Sequence, residues 1–358
     1  MSYKKQKVVP RQELLAEIVR YPIPESTHCG HVAAVDGNGN LVAQLGDFEK
    51  IIYLRSACKP HQAIPLVTSG AADHFEFSEK ELALVCGSHN GEPAHTDTIS
   101  SMLQRLELGM DALKCGVHEP YGPEIASKLR ANGEQPSVLH HNCSGKHVGM
   151  LAMALHMGAG LETYYKADHP VQIAMKEVIS LFAGVPVEQV VTGIDGCGVP
   201  TFGVSVQALA LMFVRLRVPC KEWDRKILKA CLRIVSAMQS HPEMVEGLGE
   251  IDTEVIRHTK GRVISKVGAE GVYAAGISPC AEWPNGLGVA FKIEDGDSKD
   301  RARSPVIVEC LRQLGVLREE EIEKLTGFRS RPIYNTRNEQ VGIVRPSFSL
   351  NTLKPHRM

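Results

Sequence analysis

The sequence has no long apolar run. Its longest, around Ala208 to Val214, is far too short to cross a bilayer. The opening stretch MSYKKQKVVPRQELLAEIVR is basic, yet it lacks the apolar core of about 7–15 residues that a secretion signal carries. Neither sign of charge dominates: 40 lysines and arginines face 41 acidic residues, for a formal charge of −1. With no extended basic run either, nucleic acid and anionic membranes are not expected partners. Internal repeats, low-complexity blocks and Ser/Pro-rich linkers are also missing. What remains is an expected cytoplasmic, globular chain of 358 residues, whose 43% apolar and 23% charged composition supports a sizeable core.

Ten cysteines are present, and in this expected compartment they read as free thiols or ligands rather than a disulfide framework. Cys58, Cys86, Cys220, Cys231 and Cys310 lie in apolar periodic stretches and are expected to be small buried hydrophobes. Cys143, in His141-Asn-Cys-Ser-Gly-Lys-His147, and Cys197, in Asp195-Gly-Cys-Gly198, have polar and glycine neighbours instead.

Alternating apolar character at His31–Val35 and Leu41–Leu45 surrounds Asp36-Gly-Asn-Gly-Asn40, a hairpin signal. Arg262–Val267, Gly271–Ile277 and Leu287–Ile293 also read as strands. Helical periodicity fills much of the space between, at His95–Leu106, Glu124–Arg130, Lys146–His156, Pro170–Phe182, Ala208–Val214 and Trp223–Gln239, with a last helix at Asp300–Leu314. The expected class is α+β. An antiparallel sheet would be built from N- and C-terminal strands (about 28–60 and 255–345), with a helical insert at about 61–250 and a tail at 346–358. A site is expected in the cleft between sheet and insert.

Three short motifs occur in order: Ser56-x-x-Lys59, Ser88-x-Asn90 and Lys266-x-Gly268. Serine and lysine at i and i+3 share one side of a helical turn. An amine there can take the hydroxyl proton once burial or a neighbouring cation lowers its pKa from about 10.4. Lys266 can supply that cation, and Ser88 can relay a proton. The set points to hydrolysis of an amide or ester through an acylated serine. Each motif alone is weak: Ser-x-x-Lys recurs at Ser2/Lys5, and Ser-x-Asn at Ser349/Asn351. Ser56 follows the apolar Ile51-Ile-Tyr-Leu54 and precedes a helical stretch, a junction that aims backbone N–H groups at an acyl oxygen.

Longer motifs carry a family resemblance. Leu54-Arg-Ser-Ala-Cys-Lys-Pro60, Cys86-Gly-Ser-His89, Asn142-Cys-Ser-Gly-Lys-His-Val-Gly-Met-Leu151, Asp195-Gly-Cys197 and His241-Pro-Glu-Met-Val245 resemble the rhizobial-type L-asparaginases, the thermolabile, inducible group. Gly268, Tyr273, Gly276 and Lys292-Ile-Glu-Asp-Gly296 extend the similarity to about residues 28–345. That group is similar in fold to serine β-lactamases and serine-dependent glutaminases. The resemblance implies two Ser–Lys tandems, Ser56 with Lys59 and Ser88 with Lys266. It also implies a zinc ion held by Cys143, Lys146, Cys197 and a water, with Arg55, His147 and Asp195 lining the substrate pocket. It further implies L-asparagine as substrate and a homodimer. At the place matched here by Asp252, a rhizobial member carries cysteine.

From the residues alone, Cys143-x-x-Lys146 with remote Cys197 is not a zinc signature, and Cys143 with His147 reads as a thiol nucleophile–base pair. His147 alone fits a core histidine, Asp195 a turn, Arg55 a structural ion pair, and His241-Pro-Glu243 a helix end. Alternatives left open are a serine-dependent glutaminase or other amidase, and a non-catalytic zinc or amino-acid sensor on the same scaffold.

Overall fold

The computed structural model describes residues 12–353; Ser2/Lys5 and the last five residues of the expected tail lie outside this range. Twelve strands and the intervening helices form the α+β arrangement expected. The main sheet contains β1 (Glu13–Arg20), β2 (Ile23–Asp36), β3 (Leu41–Leu45), β7 (Val263–Gly268), β8 (Val272–Ile277), β9 (Leu287–Ile293), β10 (Arg331–Tyr334), β11 (Gln340–Pro346) and β12 (Asn351–Thr352). Its order is β10-β11-β1-β2-β9-β8-β7, with β3 branching from β2 and pairing β12. The pairings are antiparallel, so terminal and C-terminal segments interleave within one sheet.

The β2–β3 hairpin forms where Asp36-Gly-Asn-Gly-Asn40 signals it. Asp36 Oδ1 accepts from the amides of Asn38 and Asn40, and Gly39 takes a positive φ of 87° that a side chain would resist. Along β2, Ala33 and Val35 face the helical insert, whereas Val32 and Ala34 face a second core against the helix Arg303–Gln313. The sheet is thus covered on both faces. The helix Val206–Arg217 lies very close to it: a Cβ on Gly288 would sit 1.9 Å from Ala210 O, and one on Gly276 2.5 Å from Phe213 O. Backbone-to-backbone contact of this kind needs glycine on the strand.

Helix ends follow local chemistry. Ser205 and Asp224 cap Val206–Arg217 and Arg225–Ser240 through the amides of Ala208 and Lys226. The Asp297 carboxylate accepts from the amides of Arg301, Ala302 and Arg303, so the last long helix starts at Arg303 rather than Asp300.

Several features differ from the sequence reading, among them β10 and β11, which were not read as strands. Strand β1 was not anticipated, because ELLAEIVR lacks clean alternation: Leu15 to Val19 are all buried, inner and outer faces alike. A second, three-stranded sheet, β4 (Ile51–Tyr53), β6 (Pro200–Ser205) and β5 (Val191–Ile194) in the order β4-β6-β5, takes β4 out of the main sheet expected at 28–60 and puts β5 and β6 where helix was expected. At the C-terminal end, Asn351 and Thr352 pair with Gln44 and Ala43 of β3. All ten cysteines are free; Cys58, Cys86, Cys231 and Cys310 are buried as expected, but Cys220 is exposed because the chain has left the preceding helix at Arg217. Among the described residues no helix is long and apolar enough to cross a membrane.

Candidate active site

Strand β4 delivers the chain to a single tight turn, Arg55–Cys58, followed by the short helix Lys59–Gln62 with Pro60 in its first turn. Arg55 adopts a left-handed backbone, φ 50°, which costs a non-glycine residue about 1–2 kcal/mol. Its guanidinium offsets that by gripping Asp195, Nε to Oδ1, at 2.6 Å. Gly268, at the end of β7, touches the same turn: a Cβ there would lie 2.8 Å from Leu54 O. The Lys266-x-Gly268 motif is therefore pressed against the turn that carries Ser56.

The second serine arrives on an extended segment after the helix Glu79–Val85, which begins with a Ser78/Glu81 capping box. Ser88 N donates to Val245 O (2.7 Å) and Asn90 N to Glu246 O (2.8 Å). Gly87 makes this possible, since a Cβ would meet Met244 O at 2.5 Å. Ser56 and Ser88 both open on one cavity of about 570 Å³, walled by Asn90, Tyr121, Asn142 and Glu246 among others.

Lys59 is almost wholly buried beneath it. Its Nζ contacts Gly87 O (2.6 Å), Ser88 Oγ (2.9 Å) and Asn142 O (3.1 Å), so the amine engages Ser88 rather than the serine three residues before it. Burial lowers its pKa, and the cations of Lys146 and Lys266 push the same way, while Cys143 and Cys197 oppose. In the neutral amine two N–H bonds serve the two carbonyls, which can only accept. The lone pair then faces Ser88 Oγ, ready to receive its proton.

Lys266 is fully buried too, but it is paired with Asp252 at 2.7 Å. The same carboxylate accepts from Val267 N (2.8 Å) and Ser265 Oγ (3.1 Å). Lys266 thus acts on Lys59 by its charge through space, while its hydrogen bond goes to Asp252 rather than to Ser88.

Cys143, Lys146 and Cys197 converge behind the Arg55–Asp195 pair. Lys146 Nζ lies 3.3 Å from Cys197 Sγ, which lies 3.8 Å from Asp195 Oδ2. A hydrogen bond from Cys197 holds the Cys143 thiol well below its usual range against the effect of burial; the same bond, with burial, pushes Cys197 up. Burial works against charge on Lys146, but the two sulfurs outweigh it and raise its pKa. Among the described residues no group of three or more histidines, cysteines or carboxylates is arranged to hold a metal; a third donor here has to be the lysine amine. The donor set nonetheless fits zinc. Ligands about 2.0–2.3 Å from a tetrahedral ion stand roughly 3.5 Å apart, close to the observed amine–sulfur separation.

Arg55 and Asp195 pair with each other, and Asp195 also closes its own turn through the amides of Gly196 and Gly198. His147 is fully buried, its Nδ1 2.6 Å from Tyr164 Oη, and burial keeps it neutral. None of these three walls the cavity. Asn90, Asn142 and Glu246 do, and the sequence reading gave them no role. The signal for Glu246 was its place directly after the His241-Pro-Glu-Met-Val245 motif.

No curated protein matches the chain. Among solved structures it is similar to a probable glutaminase from Bacillus subtilis complexed with 6-diazo-5-oxo-L-norleucine (10% identity, 80% of this chain and 84% of that one, TM-score 0.38). It is also similar to a Bacillus glutaminase in 4.3 M NaCl (10%, 80% and 91%, TM-score 0.37) and to Mglu (15%, 80% and 67%, TM-score 0.45). Over residues 16–346 the sequence matches the family model for L-asparaginase II, and the chain belongs to that family.

Proposed function

We propose that this amidohydrolase converts L-asparagine to L-aspartate and ammonia through an acylated serine. The observation that carries the reading is the buried Lys59 amine, 2.9 Å from Ser88 Oγ at the floor of a cavity that Ser56 also lines. Ser56 Oγ attacks the side-chain amide carbon, and its proton passes through Ser88 to neutral Lys59. Lys59 returns the proton, by way of Ser88, to the departing nitrogen, which leaves as ammonia. Water then cleaves the β-aspartyl ester, restoring both the serine and the carboxylate product.

The Lys59–Ser88 contact also favours a second ordering, in which Ser88 itself attacks. Ammonia release from L-asparagine and L-glutamine by the parent and by Ser56→Ala and Ser88→Ala, with mass spectrometry of trapped ester, separates the two. Ser56→Ala is expected to lose both ester and nearly all turnover; an ester formed at Ser88 at near-parental rate assigns the attack to Ser88. Preference for glutamine would replace asparagine as the substrate.

Zinc belongs to the same proposal, held by Cys143, Lys146 and Cys197. Bound there, it would tie Cys143 and Lys146 to Cys197, its charge offset by the two thiolates, and so order the Asp195 loop, the nucleophile being already provided by serine. Lys146 must give up its proton to act as a ligand, so acid weakens the metal site. Metal analysis is expected to return about one zinc per chain, and Cys197→Ala to lose it. Chelation should raise KM more than it lowers kcat. Protein free of zinc as purified, or an unchanged KM after chelation, removes this part. A cytoplasmic homodimer completes the proposal, checked by light scattering at twice the 39.1 kDa chain mass.

A further inference from the structure

One wall of the cavity offers acceptors and no donors to match them. Glu246 stands opposite Asn90, its backbone oxygen accepting from Asn90 N at 2.8 Å one residue on from the Ser88–Val245 bond, and its side chain lines the cavity beside both serines. Glu246 Oε2 accepts the amide of Asp252 at 2.9 Å. No ion pair among the described residues includes Glu246 or the neighbouring cavity residue Glu250; Lys266 is committed to Asp252, and the guanidinium that lines the cavity, Arg303, to Asp297, Asp300 and Gly268 O. Asn90 is 7% exposed and its amide orientation is set by Nδ2 donating to Glu92 Oε1 at 2.8 Å, which leaves Oδ1 without a partner. A buried amide oxygen without a donor costs free energy, and a half-buried carboxylate without a counter-charge loses part of its hydration unpaid. Both deficits are removed by one ligand feature, a cation with several N–H bonds.

We propose that Glu246 and Asn90 Oδ1 seat the α-ammonium group of the amino-acid substrate, with Glu250 deepening the negative potential around it. This rests on the amidohydrolase reading above and makes Glu246 the residue that selects α-amino-acid amides over simple carboxamides. Burial first, and then the Asp252 carboxylate, push Glu246 up to about 8, with Lys266 opposing and Glu250 adding to the rise; the buried Tyr273 hydroxyl belongs to the same surroundings. The free site is therefore short of a positive charge, and substrate affinity rises with pH as Glu246 ionises.

Glu246→Gln keeps an acceptor for the Asp252 amide and removes the charge. The probes are L-asparagine and succinamate, which is asparagine with hydrogen in place of the ammonium. The ratio of their kcat/KM values is expected to fall by about tenfold or more in the variant, the range for a lost charge-assisted hydrogen bond, and the rise of affinity with pH should flatten. A ratio within about twofold of the parent's overturns the seat. Calorimetry of L-aspartate and succinate on the full chain reads the same seat without turnover: the parent should prefer aspartate, and the variant should not. A parent without that preference overturns the proposal whether or not the variant folds. A parent that prefers aspartate but releases no ammonia from any amide keeps the seat and sinks the hydrolase reading. Ammonia release by a parent with no ammonium preference does the reverse.

Discussion

Lys59→Met is expected to lower ammonia release about 10³-fold, the range for removal of a general base, while the protein remains folded. The methylene stem and thioether fill the buried volume, and the carbonyls of Gly87 and Asn142 each lose the N–H that Lys59 gave them. The chemical loss is larger because the amine is the group placed to receive the Ser88 proton. Lys59→Arg should be equally inactive, since guanidinium keeps its proton near neutral pH. In the parent, turnover should climb with pH as the burial-lowered amine becomes neutral. Steady-state ammonia assays with circular dichroism as the folding control test this. A folded Lys59→Met protein within tenfold of parental kcat would sink the role given to Lys59.

Asp252→Ala should cost stability rather than only rate. Lys266 and Asp252 are both fully buried and 2.7 Å apart, and removing one partner of such a pair costs about 3–5 kcal/mol because it strands the other charge. Val267 N and Ser265 Oγ lose their acceptor at the same time. The double variant Asp252→Ala/Lys266→Met should be more stable than Asp252→Ala alone, since the stranded charge is gone. It should also remain poorly active, because Lys59 then loses a cation that lowers its pKa. Denaturant midpoints of the single and double variants decide the matter. A single variant that loses under about 1 kcal/mol, or a double variant less stable than the single, would show that the pair is not the stabilising unit.

The long motifs made the family legible without coordinates, and the local elements were readable for the same reason: their causes are local. Asp36 folds the β2–β3 hairpin through amides two and four residues away, and Ser205 and Asp224 start their helices within three. Period alone placed Leu41–Leu45 and Leu287–Ile293 to the residue. It failed for β1 and β6, whose burial does not alternate, and for β5, which has only four residues.

In the site, sequence spacing put Ser56 and Lys59 on one turn but did not determine where the amine points. That depends on packing across 29 residues to Ser88 and 83 to Asn142. Lys266 reaches Asp252, and Arg55 reaches Asp195 across 140 residues; the family resemblance names all four residues but not which carboxylate claims which cation. Glu246 carries no motif signal of its own, and only the pairing of Ser88 and Asn90 with Val245 and Glu246 sets its carboxyl in the cavity wall. The sequence by itself determined which reactive groups the chain holds and which of them are local neighbours. The tertiary structure alone decided which acceptor each long buried side chain meets, because in a close-packed interior that choice belongs to the segments brought alongside, not to the residues next in the chain.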